Sequence, residues 1–202
     1  SAAALARQAN PTLGDFAGSV TFLENLVNAT PQVIDSAVSL TDLDSSDFNG
    51  GRVDLFFVQG GEATDQLGVR HVSNSAGQIG VSGANVSYGG VLIGTISGGS
   101  NGANLQVSLN AAASVEAVEA LVQNLTYAST SSSPDATRTV GIRVSDGDGG
   151  SSNSSTVTIN VTPQLDGAPV VYGEEQVNTY TVSTQDDPEI AVLANGSYVV
   201  VW

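Results

Sequence analysis

The chain has 202 residues, 41% of them hydrophobic, which is enough apolar material for a core and excludes a disordered tail. Twenty acidic residues stand against five basic ones, all arginine, so the formal net charge is −15 and nucleic acid and anionic membranes are poor partners. Cysteine is absent, which excludes disulfides and thiolate metal sites, and no stretch of about eighteen apolar residues is present to cross a bilayer as a helix.

After an N-terminal arm (residues 1–10), short segments with period-2 alternation are bounded by Gly, Asn, Asp and Ser. They predict strands at 19–25, 32–40, 52–58, 67–72, 78–87, 90–96, 103–109, 123–129, 137–145 and 154–162. Strands at this spacing indicate an all-β sandwich over residues 11–163. One segment breaks the pattern. Residues 114–124 offer an N-cap Ser114, acids in the first turn, and Val115, Val118, Leu121 and Val122 at helical spacing. They predict one short helix of about three turns whose apolar face plugs one end of the sandwich.

Residues 164–169, with Pro163 just before them and Pro169 at their end, have the composition of an extended linker. Beyond it, residues 170–202 predict a small C-terminal β segment with strands at 178–183, 189–193 and 197–202, and a hairpin turn at Ala194-Asn195-Gly196. So short a sheet needs another surface to cover its apolar face. That surface is its own sandwich or a neighbouring copy joined by β-augmentation.

The residues that carry chemistry are carboxylates. Asp146-Gly147-Asp148-Gly149-Gly150 places two acids in the turn of a hairpin, where hard-cation ligands are easily gathered, although Asp and Gly also make good turns. Glu24-Asn25 closes the first predicted strand, Asp42-Leu43-Asp44 opens the loop after the second, and Asp166 lies in the linker. Calcium takes six to eight oxygens at about 2.3–2.6 Å, so these segments together form a candidate Ca2+ ligand set: Glu24, Asp42, Asp44, Asp146, Asp148 and Asp166. Asp65 is read as a turn former before a strand, and Asp186-Asp187-Pro188 as a solvated loop tip.

Taken in order, the stretches TFLENL, SLTDLDSSDF, GVLIGTISGGSNGANLQVSLN, ASVEAVEALVQNLTYAST, TRTVGIRVSDGDGGSS and TVTINVTPQLDGAP resemble the bacterial cadherin-like repeat. That family is a calcium-binding, immunoglobulin-like β-sandwich found in tandem in large calcium-dependent type I secreted surface proteins and adhesins. The resemblance covers residues 11–169 and implies that Glu24, Asp42, Asp44 and Asp146 lie where the family's ligands do, at domain ends. Asp166 departs from it, because Leu165-Asp166-Gly167-Ala168-Pro169 replaces the family's Asn-Asp-x-Pro. The tail GEEQVNTYTVSTQDDPEIAVLANGSYVVVW is similar to a repeat of large secreted bacterial proteins that builds blade-like sheets.

No nucleophile elbow, phosphate loop or zinc signature occurs, and the single histidine, His71, has no local nucleophile partner. Paired carboxylates suit glycoside hydrolysis, yet the only Trp is the last residue, so an aromatic-lined cleft is not expected. The expected function is therefore a non-catalytic, calcium-binding extracellular module for adhesion, a surface coat or a filament. Its expected partners are neighbouring copies or adjacent repeats, with cell-surface glycans or proteins as further candidates and no membrane insertion. The alternative is a calcium-dependent carbohydrate- or ligand-binding module of a large secreted protein.

Overall fold

The computed structural model describes residues 9–164, 189–192 and 198–201. The chain forms two compact units, Ser1–Asp166 and Gly167–Trp202. The first unit is all-β and sandwich-like. Its strands are β1 (Thr12–Gly14), β2 (Ser19–Leu23), β3 (Gln32–Val33), β4 (Ser39–Thr41), β5 (Arg52–Gln59), β6 (Asp65–Val69), β7 (Ile79–Ser82), β8 (Asn85–Tyr88), β9 (Val91–Gly98), β10 (Leu105–Leu109), β11 (Leu125–Ser129), β12 (Thr137–Ser145) and β13 (Ser155–Thr162). Two helices interrupt them, α1 (Glu24–Ala29) and α2 (Val115–Val122). In the second unit β14 (Glu189–Val192) pairs antiparallel with β15 (Tyr198–Val201). The predicted strand at 178–183 and the turn at 194–196 lie outside the described residues.

Eight strands form one sheet in the order β2-β13-β12-β5-β10-β9-β8-β7, and a three-stranded sheet has the order β3-β11-β6. Alternation decides which side chains enter the core. Val53 and Leu55 of β5, Val140, Ile142 and Val144 of β12, and Val157, Ile159 and Val161 of β13 are all buried. The other sheet contributes Leu67, Leu125 and Tyr127 to the same apolar cluster. Every residue of β11 is buried, the polar Thr126 and Ser129 included, so its burial does not follow the apolar–polar alternation of its Leu-Thr-Tyr-Ala-Ser sequence.

Helix α2 follows the sequence pattern. The Ser114 hydroxyl accepts from the Ala117 N–H at 3.2 Å, and Ala117, Val118, Leu121 and Val122 are buried. It has eight residues, a little over two turns rather than three. Its polar side docks on the β4 segment: Leu40 N donates to Glu119 Oε2 at 2.8 Å and Gln123 Nε2 to the Val38 carbonyl at 2.8 Å.

Three expectations are corrected and one strand is added. The first strand stops at Leu23, and Glu24 begins α1, so the described residues hold two helices rather than one. The segment 32–40 is two short strands, because Asp35 accepts from Ala17 N at 2.7 Å and Ala37 N at 2.9 Å and turns the chain between them. The segment 78–87 is a hairpin bent at Gly83, whose φ is 59°. Finally β1, only three residues long, pairs with β4 through Thr12 and Thr41 and carries residues 9–11 along one end of the unit.

Candidate functional site

The predicted ligands among the described residues fall into two groups at opposite ends of β13. Asp146 starts the hairpin between β12 and β13, at the β13 end marked by Ser155; Glu24 follows β2, whose Leu23 pairs with Thr162 at the other end. An eight-residue strand at about 3.3 Å per residue separates those ends by about 25 Å, so one ion cannot serve both.

Asp146 is the most constrained of the set. It is 1% exposed, and its Oδ1 accepts from the Asp148 and Gly150 N–H groups, both at 2.9 Å. Its Oδ2 is buried without a hydrogen-bond partner. Such an oxygen is costly to bury, by about 1–3 kcal/mol or more for a charged group, unless something coordinates it. The hairpin is pressed inward by glycines. A Cβ on Gly150 would overlap Asp146 Oδ2 and come within 2.8 Å of the Ala9 carbonyl oxygen, so that carbonyl and the free carboxylate oxygen border the same small space.

Residues 9–11 connect this hairpin to the second acidic loop. Asn10 Oδ1 accepts from Ser151 N at 3.3 Å, and Ala9 N donates to Asp44 Oδ2 at 2.7 Å. Beside Asp44, Asp42 Oδ1 accepts from the Asp44 and Ser45 N–H groups, both at 3.4 Å, while its Oδ2 is buried and has no partner. Burial, with the Asp44 carboxyl group beside it, pushes the Asp42 carboxyl above its ordinary range. Two of the three orphaned buried side-chain oxygens among the described residues thus belong to this end of the sandwich.

The third is Glu24 Oε1 at the opposite end. Glu24 is 1% exposed and its Oε2 accepts from Gln164 N at 2.9 Å, which ties it to the start of the linker. Asp166 lies outside the described residues. Asp148 contributes its backbone N–H to Asp146, while its side chain is exposed.

Among the described residues no three acidic, His or Cys side chains converge as a group. The oxygens that this end offers a cation are Asp146 Oδ2 in the hairpin, Asp42 Oδ2 in the neighbouring loop and backbone carbonyls such as that of Ala9. That donor set is all oxygen and suits a hard cation. No family model, curated protein or solved structure matches the chain.

A second polar cluster lies deep between the sheets. Arg138 and Asp65 are both fully buried; Arg138 Nε donates to both Asp65 oxygens at 2.9 Å, and Nη2 to Glu62 Oε2 at 2.7 Å. The Tyr127 hydroxyl donates to Asp65 Oδ1 at 2.7 Å, and the guanidinium lies 5.2 Å from the Tyr127 ring centre. Burial, then the hydrogen bond to Asp65, pushes the Tyr127 hydroxyl far up, so it stays a donor. Asp65 does close a turn, accepting from Glu62 N at 2.9 Å, but it also anchors this network. The sequence signal for it is Arg138 itself, which shares the inward register of Val140, Ile142 and Val144.

His71 has a structural partner: its Nδ1 accepts from Val81 N at 2.9 Å on edge strand β7, which blunts that edge. Among the described residues no helix is long and apolar enough to cross a membrane.

Proposed function

We propose that the Ser1–Asp166 unit is a non-catalytic, calcium-stabilised structural or adhesive module of an extracellular bacterial surface, of the cadherin-like kind its sequence resembles. The observation that carries this reading is the pair of buried, partnerless carboxylate oxygens, Asp146 Oδ2 and Asp42 Oδ2, on loops that residues 9–11 tie together. An uncompensated anion opposes folding, whereas a divalent cation turns the same oxygens into ligands and makes binding energy part of folding energy. The net charge of −15 adds a general repulsion that a cation relieves. Extracellular modules bind calcium at about 10⁻⁴–10⁻³ M, a level that makes the fold rigid outside the cell. Self-assembly through terminal strands, or contact with adjacent repeats, belongs to the same reading; size-exclusion chromatography of the whole chain beside a truncation before Tyr180 tests it.

The test of the calcium role is the melting temperature of wild type and Asp146→Asn in calcium and in chelator. At about 100 times its dissociation constant, calcium stabilises the wild type by about 2.7 kcal/mol. The Asn variant keeps an acceptor for the Asp148 and Gly150 amides but supplies an amide nitrogen where the ion needs oxygen. It should lose most of that gain, while in chelator it should be no less stable than wild type. Equal calcium responses in the two proteins would sink the assignment.

A further inference from the structure

The outer face of the large sheet carries a further cluster of charged side chains, separate from the acidic loops. Outward positions on three central strands place Arg143, Asp54 and Gln106 in one row, since Asp54 is registered against Arg143 on β12 and Gln106 on β10. Asp54 Oδ2 accepts from Arg52 Nε and Arg143 Nη2, both at 3.0 Å, and Oδ1 from Gln106 Nε2 at 3.1 Å. Burial works against the ionised form, but the Gln106 amide and the two guanidiniums outweigh it and hold Asp54 below its ordinary range.

The charges do not balance. Two guanidiniums share one carboxylate, which leaves a positive centre on a chain of net charge −15. The Arg side chains are 48% and 42% exposed, and apart from Arg52 Nε and Arg143 Nη2 their nitrogens make no hydrogen bond among the described residues. An ion pair serving stability alone needs one cation, and exposed pairs are worth only about 0–1 kcal/mol.

Next to this centre lies a flat apolar surface. Phe56 is half-buried and registered against Gly141, where a Cβ would come within 2.5 Å of the ring. The glycine lets the ring lie down on the sheet. Arg52, Asp54, Phe56, Asn104, Gln106 and Arg143 line a shallow concavity of about 440 Å³. Asn104 Oδ1 accepts from Phe57 N at 3.3 Å and Gln106 Nε2 is held by Asp54, which fixes both amides, and among the described residues Asn104 Nδ2 and Gln106 Oε1 make no hydrogen bond.

We propose that this face binds an acidic saccharide: its anionic group pairs with the guanidiniums of Arg52 and Arg143, and a sugar ring rests on Phe56. The fork of a guanidinium matches a carboxylate or sulfate, and the fixed amides of Asn104 and Gln106 offer one donor and one acceptor to ring hydroxyls. A peptide fits less well. β5, β10 and β12 are interior strands whose backbone groups are used in the ladder, so no main-chain pairing is on offer.

The test is titration of the ¹⁵N-labelled chain with trigalacturonate, its methyl ester, a trisulfated disaccharide of the heparin type and hexaglutamate, in calcium and with Arg143→Gln and Asp146→Asn variants. Trigalacturonate or the sulfated sugar should shift the Gln106, Asn104 and Arg143 signals. The ester and Arg143→Gln should each bind about tenfold more weakly, as expected for loss of one charge-assisted contact. Asp146→Asn should bind as wild type does, which separates this site from the calcium reading. The stronger of the two acidic sugars identifies the anionic group. Equal binding of acid and ester, unchanged binding by Arg143→Gln, tighter binding of hexaglutamate, or no shift at about 10 mM sugar would each overturn the proposal.

Discussion

Replacing Arg138 by Met is the most severe single change that the structure of the Ser1–Asp166 unit suggests outside the acidic loops. The substitution keeps an unbranched chain of similar reach but leaves Asp65, fully buried, with only the Tyr127 hydroxyl at 2.7 Å and the Glu62 N–H at 2.9 Å. Stranding one partner of a buried pair costs about 3–5 kcal/mol, a large share of the roughly 5–15 kcal/mol that holds a domain together. At about 2–4 °C per kcal/mol for a unit of this size, the melting temperature should fall by about 10 °C or more. Urea denaturation followed by circular dichroism measures the loss for Arg138→Met, Asp65→Asn and the double variant. The double variant should be more stable than the sum of the single losses implies, by at least about 2 kcal/mol, because it leaves no unpaired charge. A loss below about 1 kcal/mol for Arg138→Met, or strict additivity, would refute the claim that this pair is a coupled, desolvated unit.

Other perturbations address the acidic end and α2. Asp42→Ala should weaken calcium binding about tenfold or more in calorimetry, whereas Asp148→Ala, whose side chain is exposed, should change it little. Gly150→Ala should push the Asp146 carboxylate aside and cost about 1–3 kcal/mol in a calcium-loaded melt, because the new Cβ overlaps Asp146 Oδ2. The raised Asp42 carboxyl gives a pH dependence of definite sign. The metal-free unit is favoured by Asp42 protonation below the unperturbed 3.8 and loses that gain as pH rises through the raised value. Calcium needs the ionised form, so its affinity should fall with pH across that window and binding there should release a proton, measurable in buffers of different ionisation heat. Ser114→Ala removes the cap on Ala117 N and should cost about 1 kcal/mol in urea denaturation.

Much of the fold was legible because local and tertiary demands agree. The alternation of Val140, Ile142 and Val144 against Gly141 and Arg143 marks both faces of β12, and the Ser114 cap with its apolar stripe marks α2. Glu24 misled because the alternation of Val20 and Phe22 runs straight up to it, and nothing in TFLENL signals that the chain coils after Leu23. The segment around Asp35 read as one strand because its turn depends on an N–H from Ala17, eighteen residues away. The acidic residues were legible by type but not by position. That Asp42 and Asp146 share an end depends on three-residue β1 pairing with β4 and leading residues 9–11 between the loops. Asp65 looks in the sequence like a turn residue, which it is, but its ion pair arises only when β6 and β12 come together.

Isothermal titration of the chelator-stripped chain with calcium chloride, run side by side for wild type and Asp146→Asn, tests the calcium assignment most directly. Saturable heat with a dissociation constant near 10⁻⁴–10⁻³ M is expected for the wild type, with the component from this end missing in the variant. Absence of saturable heat in the wild type up to about 10 mM calcium, or identical isotherms for the two proteins, would contradict it.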